Sequence, residues 1–113
     1  MSDSMQPFGP VVLTQAWNPD VVFSILAEPA RRRTLLAMAR GGAQPATILK
    51  SSAGKRLDAT LKHLSALRQA GMVTTAPDPK DGRRTLYGLS PNMTIVRSGE
   101  GTALDFGCCV VRL

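Results

Sequence analysis

Residues 55–69 read KRLDATLKHLSALRQ. On a helix, Leu57, Leu61, Leu64 and Leu67 recur at steps of four, three and three and form one apolar stripe. The opposite side then carries Lys55, Asp58, Ala59, Lys62, Ser65 and Gln69, with Arg56 and His63 on its flank. Ammonium and guanidinium groups on such a face donate to phosphate or to the acceptor edge of guanine, and a carboxylate accepts from the cytosine amino group. Lys55 and Arg56 sit badly at a helix N-terminus, where the dipole favours anions. A phosphate or a guanine beside them removes that conflict. The plainer alternative is a solvated helix face with no ligand.

A second group of cations, Lys80, Arg83 and Arg84, surrounds Gly82. At the tip of a hairpin these side chains suit a phosphate backbone or a minor groove. A third group, Arg31, Arg32 and Arg33, opens an expected helix. Successive residues point in different directions around a helix, so these three cannot make one patch. One is expected on phosphate, one paired with an acid such as Glu28, and one in solvent.

The elements that must hold these groups follow from local signals. Residues 1–17 read as an arm. Asn18-Pro19 opens a helix with a capping side chain and a proline at its first position. Val21, Val22, Ile25 and Leu26 fall on one face of it. Glu28-Pro29 starts a second helix, with Leu35, Leu36 and Ala39 inward, and Gly41-Gly42 stops it. Pro45 starts a third, short helix to about Lys50, and residues 51–54 are turn-like. The fourth helix spans about 55–70 and ends at Gly71. Residues 72–75 have strand composition, 77–82 form a turn that a strand cannot cross, and 83–89 return as a strand. Residues 93–97 and 104–112 are β-like. Helix, helix, helix, turn, helix and hairpin make an α+β chain, mainly α: a helix-turn-helix with a β-hairpin wing and an added C-terminal β segment.

Composition agrees with a polyanionic partner. The 113 residues carry a net charge of +6 and a pI near 10.2. Residues 29–84 hold twelve Lys/Arg against Asp58, Asp78 and Asp81, so the surplus there exceeds that of the whole chain. Released counterions favour binding of such a surface to nucleic acid. Membrane surfaces and acidic proteins share part of that attraction. No apolar run approaches the roughly 20 residues that span a bilayer. Asp3 and the lack of a basic start argue against a signal peptide, so a cytoplasmic protein is expected. No phosphate-binding glycine loop, nucleophile beside the single histidine, or acid pair stands out, so neither an enzyme nor a cofactor is expected.

Three segments carry a family resemblance. Residues 27–36 (AEPARRRTLL) resemble the opening of ArsR-type repressors. Residues 62–73 (KHLSALRQAGMV) look like the end of their recognition helix and the start of their wing. Residues 81–91 (DGRRTLYGLSP) look like the returning wing strand, a pattern shared with MarR-type repressors. The likeness covers roughly residues 20–91. It implies a dimeric transcriptional repressor that binds a palindromic double-stranded DNA operator and releases it on a signal. It also implies that Arg56, Asp58, Ala59, Lys62 and His63 occupy recognition-helix positions, with a structural role for the histidine as the alternative. The family usually has an apolar residue and then Ser at 55 and 56, which moves the expected helix start toward Ser51 or Ser52. The cysteine sensor of the arsenic-responsive members and the usual terminal dimerisation helix are missing, and no metal ligand set is expected. The alternative class is a winged helix used for protein or RNA contact.

The chain thus divides into an arm (1–17), a DNA-binding unit (18–91) and a dimerisation segment (92–113). Leu104, Phe106, Cys108 and Val110 alternate onto one face of the last expected strand, and Cys109 and Val111 keep its other face apolar. A strand apolar on both sides needs cover on both. A two-fold dimer through Leu104, Phe106, Cys108 and Val110, together with Val21, Val22 and Ile25 of the first helix, supplies it. The adjacent cysteines are expected as small buried strand residues rather than a metal or disulfide pair.

Overall fold

Asn18 and Pro19 start the first helix in the computed structural model, which describes residues 17–113. All of the expected arm except Trp17 lies outside the described residues. The Asn18 side chain accepts from the Asp20 N–H at 2.8 Å, at the head of α1 (Pro19–Leu26). Helix α2 (Pro29–Gly41) ends where the Gly42 N–H donates to the Met38 carbonyl at 2.9 Å. Strand β1 (Gln44–Pro45) leads directly into α3 (Ala46–Ala53). Gly54 ends α3 in the left-handed region, at φ 69°, with its N–H on the Lys50 carbonyl at 3.0 Å. Only glycine adopts that conformation without steric cost, and it turns the chain within residues 54–56 into α4 (Leu57–Gln69).

Strands β2 (Val73–Pro77) and β3 (Thr85–Leu89) pair antiparallel, from Val73 opposite Leu89 to Pro77 opposite Thr85. Gln44 and Pro45 of β1 pair with the other edge of β3, opposite Tyr87 and Leu86. A second antiparallel sheet holds β4 (Thr94–Ser98), β5 (Gly101–Asp105) and β6 (Val110–Arg112) in that order. The fold is the expected winged helix-turn-helix with a C-terminal β segment.

One core joins all these parts. Val22 and Leu26 of α1, Leu35 and Met38 of α2, Leu49 of α3, and Leu64 and Leu67 of α4 pack with Met72, Met93, Leu104 and Phe106. Trp17 closes one end: its ring meets that of Phe106 edge-on, with centroids 6.0 Å apart, and its backbone N–H donates to the Phe106 carbonyl.

Four expectations change. Helix α3 runs on through Ser51 and Ser52, and α4 starts at Leu57 rather than at 55 or earlier. Leu36 is only half-buried, and Met38 takes the inward position instead. The leucine stripe of α4 is buried at Leu64 and Leu67, while Leu57 and Leu61 are 37 % and 41 % exposed. Thr60, Leu64 and Leu67 form the buried face of α4, rotated from the leucine stripe so that Leu57 and Leu61 fall on its flank.

The last change is at the C-terminus. The expected strand over 104–112 is two strands, β5 and β6, folded back on each other through 106–109, where the Phe106 N–H donates to the Cys109 carbonyl at 2.8 Å. Leu104 and Phe106 point into the protomer's own core and are fully buried, as is Val22. These three therefore cannot be dimer contacts. The fold-back lets a short β-meander cover its own apolar face, so no second subunit is required for that. Cys108 and Cys109 lie in the turn, not in a strand. Cys108 is exposed, Cys109 is half-buried, and both are free thiols with Sγ atoms 3.8 Å apart.

Candidate nucleic-acid interface

The exposed side of α4 carries Asp58, Lys62, Ser65 and Gln69. Ala59 and His63 lie half-buried on the flank facing α2. Before the helix, Lys50, Ser51, Gly54, Lys55 and Arg56 line one shallow hollow of about 400 Å³. Its walls contain three cations and no acid. Arg56 approaches Asp58 at 3.9 Å, with side chains 92 % and 75 % exposed. An ion pair this loose and wet holds neither group back from another partner.

On the other side of α4 the wing comes close. Leu57 and Leu61 share a second hollow, of about 230 Å³, with residues 45–47 at the start of α3 and with Arg84, Thr85 and Tyr87 of the wing. The pairing of β1 with β3 produces this arrangement, because it ties the start of α3 to the wing strand. The wing tip is built by its two aspartates. The Asp78 carboxylate accepts from the Lys80 N–H at 2.9 Å, and that of Asp81 accepts from the Arg83 N–H at 3.1 Å. These turns leave the Lys80, Arg83 and Arg84 side chains exposed. Arg83 also pairs with Asp81 at 3.3 Å, through a guanidinium that is 93 % exposed.

The three arginines of α2 behave otherwise. Arg31 donates from Nε to His63 Nδ1 at 3.2 Å and from Nη1 to the Ile25 carbonyl at 3.4 Å. Arg32 donates to the Leu26 carbonyl. Arg33 donates to the Ala53 carbonyl at 2.8 and 3.3 Å. Each guanidinium thus reaches a carbonyl at the C-terminal end of α1 or α3, where acceptors lack helical partners and the dipole favours cations. The expected pairing with Glu28 does not form.

The bond to Arg31 defines the state of His63. Nδ1 is an acceptor, so the imidazole is neutral and carries its proton on Nε2. Burial, then the Arg31 guanidinium, hold its pKa below the ordinary 6.5; Lys55 acts in the same direction and Glu28 against it. No local signal announces this contact, because it joins residues 32 positions apart. At the C-terminus, burial and the adjacent Cys108 push the Cys109 thiol up, away from a reactive thiolate.

Of the residues expected at a dimer contact, Val21, Ile25, Cys108 and Val110 keep some exposure, with Val21 at 38 % and Val110 at 61 %. Phe23 on α1 and Val96 on β4 are exposed apolar residues that the sequence reading passed over. Among the described residues no helix is long and apolar enough to cross a membrane.

No family model matches the sequence, and no curated protein does. Solved structures do match, at identities that establish the fold alone. A homodimeric winged helix-turn-helix DNA-binding domain from Mycobacterium bovis, described as a possible ArsR-family transcriptional regulator, aligns at 22 % identity over 80 % of this chain and 76 % of its own, with a TM-score of 0.56. A probable transcriptional regulator from Pseudomonas aeruginosa aligns at 23 % identity over 64 % of this chain and 57 % of its own, with a TM-score of 0.54. The adhesin competence repressor of Streptococcus pyogenes aligns at 18 % identity over 64 % and 59 %, with a TM-score of 0.52. Several of these neighbours are longer, and the chain spans little more than half of their length. The chain has the winged helix-turn-helix fold found in these transcriptional regulators.

Proposed function

We propose that the protein is a sequence-specific double-stranded DNA-binding transcriptional regulator that acts as a dimeric repressor on a palindromic operator. Helix α4 enters the major groove. Asp58 and Lys62 face base edges, with Ala59 against the groove wall. Lys50, Lys55 and Arg56 bind the phosphates at the groove edge. The wing lies along the backbone or the adjacent minor groove through Lys80, Arg83 and Arg84. His63, bonded to Arg31, positions the helix rather than reading a base.

The observation that carries this reading is that α4 has cations on both sides: Lys50, Lys55 and Arg56 around the turn before it, and Arg84 of the wing beside Leu57 and Leu61. A homodimer is supported by the exposed Val21, Phe23, Val96 and Val110, and the Mycobacterium bovis neighbour is itself described as homodimeric. The exposed leucines of α4 favour a protein-docking winged helix instead.

Selection of bound sequences from a random duplex pool decides between the two. A regulator enriches an inverted repeat, and a docking module enriches nothing. On the enriched duplex, the double variant Arg83→Ala, Arg84→Ala loses affinity for all sequences alike, and its salt dependence flattens by about one unit of slope for each phosphate contact removed. A loss confined to one base position would move these arginines into the set that reads sequence.

A further inference from the structure

Leu57 and Leu61 stand four residues apart on α4, so their side chains are neighbours on the helix surface. They are 37 % and 41 % exposed, on the flank of the helix beside its buried face of Thr60, Leu64 and Leu67. The hollow they share with Pro45, Thr47, Arg84 and Tyr87 has largely apolar walls. Arg84 is the one charged residue in its lining, and exposed Lys62 follows Leu61 in the chain. An apolar spot bordered by a guanidinium fits a polyanion that carries apolar groups of its own. In the major groove of duplex DNA the bases present one such group, the C5 methyl of thymine.

We infer that Leu57 and Leu61 read thymine methyl groups and make this surface selective for operator sites with thymine next to the bases contacted by Asp58 and Lys62. The inference rests on the proposed entry of α4 into the major groove and adds the chemical class of base that it prefers. The phosphate and base-edge contacts of the cations set the register, and the leucines then bury methyl groups that only A·T pairs offer. A G·C pair placed there offers no methyl for the leucines to bury.

The test uses the full chain and the duplex enriched from a random pool. Each thymine is replaced in turn by deoxyuridine, which removes the methyl and keeps the pairing edge. Affinity is expected to fall about fourfold for each methyl that the leucines cover, the equivalent of one buried carbon. In Leu57→Ala and Leu61→Ala the same duplexes are expected to bind alike with or without the methyl. Both side chains are well exposed, so thermal melting should show the variants folded. The scan on the unaltered protein stands by itself if a variant does not fold. Enrichment followed by a flat deoxyuridine scan overturns the inference and leaves the DNA-binding reading intact. Methyl sensitivity that persists unchanged in both variants overturns the leucine assignment. Failure to enrich any duplex overturns the DNA-binding reading, and the inference with it.

Discussion

The cations of α2 and those around α4 are the same residue types in different employment. Arg31, Arg32 and Arg33 are fixed by carbonyls of α1 and α3 and by His63. Lys55 and Arg56 border an open hollow lined by no acid, and Lys62 stands exposed on α4. A count of positive charge along the chain treats these groups as one basic footprint. Their hydrogen bonds divide it. Charge already used to terminate helices holds the fold in shape, and only the remainder is available to a ligand.

The largest expected effect falls on the outward set. Arg56→Ala and Lys62→Ala should each weaken specific duplex binding by about 1–3 kcal/mol where they contact bases. Neither should move the melting temperature, because neither side chain is held by the core. Titrations at one fixed salt concentration, paired with thermal melts, measure both quantities. Unaltered affinity in both variants would remove α4 from the groove.

The inward set should show the reverse pattern. Arg32→Ala and Arg33→Ala each remove a charge-assisted bond to a helix-terminal carbonyl and should cost about 1–2 kcal/mol of stability. Duplex affinity per folded molecule should stay near that of the unaltered protein. Denaturant unfolding gives the stability, and binding measured well below the transition gives the affinity. If Arg33→Ala instead binds DNA weakly while remaining fully stable, the division between the two sets fails at that residue.

The same division explains what could be read from the sequence. Caps and turns were legible, since their chemistry is local. Asn18-Pro19, Gly42, Gly71 and the aspartates of the wing tip each act within a few residues of themselves. The helix-turn-helix and the wing followed from these. The residue types of the candidate site were legible too, but not which of them the fold consumes. Arg33 reaches Ala53 across 20 positions, and Arg31 reaches His63 across 32. No spacing rule signals such a contact. The pairing of β1 was invisible for a related reason: two residues, one of them proline, carry no strand signal, and the partner β3 is some forty positions away. The leucine stripe of α4 misled because the face turned to the core includes Thr60, a residue that an apolar periodicity does not count, and is rotated away from Leu57 and Leu61. The C-terminal strand misled because alternation continued through Gly107, where the chain in fact turns.

His63 lies on the boundary between the two sets and gives the smallest of the expected effects. It belongs to the helix proposed to enter the groove, yet its Nδ1 accepts from an inward arginine. Protonating it removes that bond and sets two cations against each other. Its folded pKa lies below the ordinary 6.5, chiefly through burial and then through Arg31. The unfolded chain therefore binds the proton more readily than the folded one, and stability rises with pH across the interval between the two values. The contribution is fully present above the ordinary value and is lost as pH falls through it to the lowered folded value. His63 is the single histidine of the chain, so a His63→Gln variant isolates the effect, with the carboxylates titrating alike in both proteins. Melting temperatures taken from about pH 7 down to about pH 5, the range in which histidine titrates, should fall more steeply for the unaltered protein than for the variant. Parallel curves would mean that burial and Arg31 do not lower the His63 pKa in solution, and would return His63 to the groups free to meet DNA.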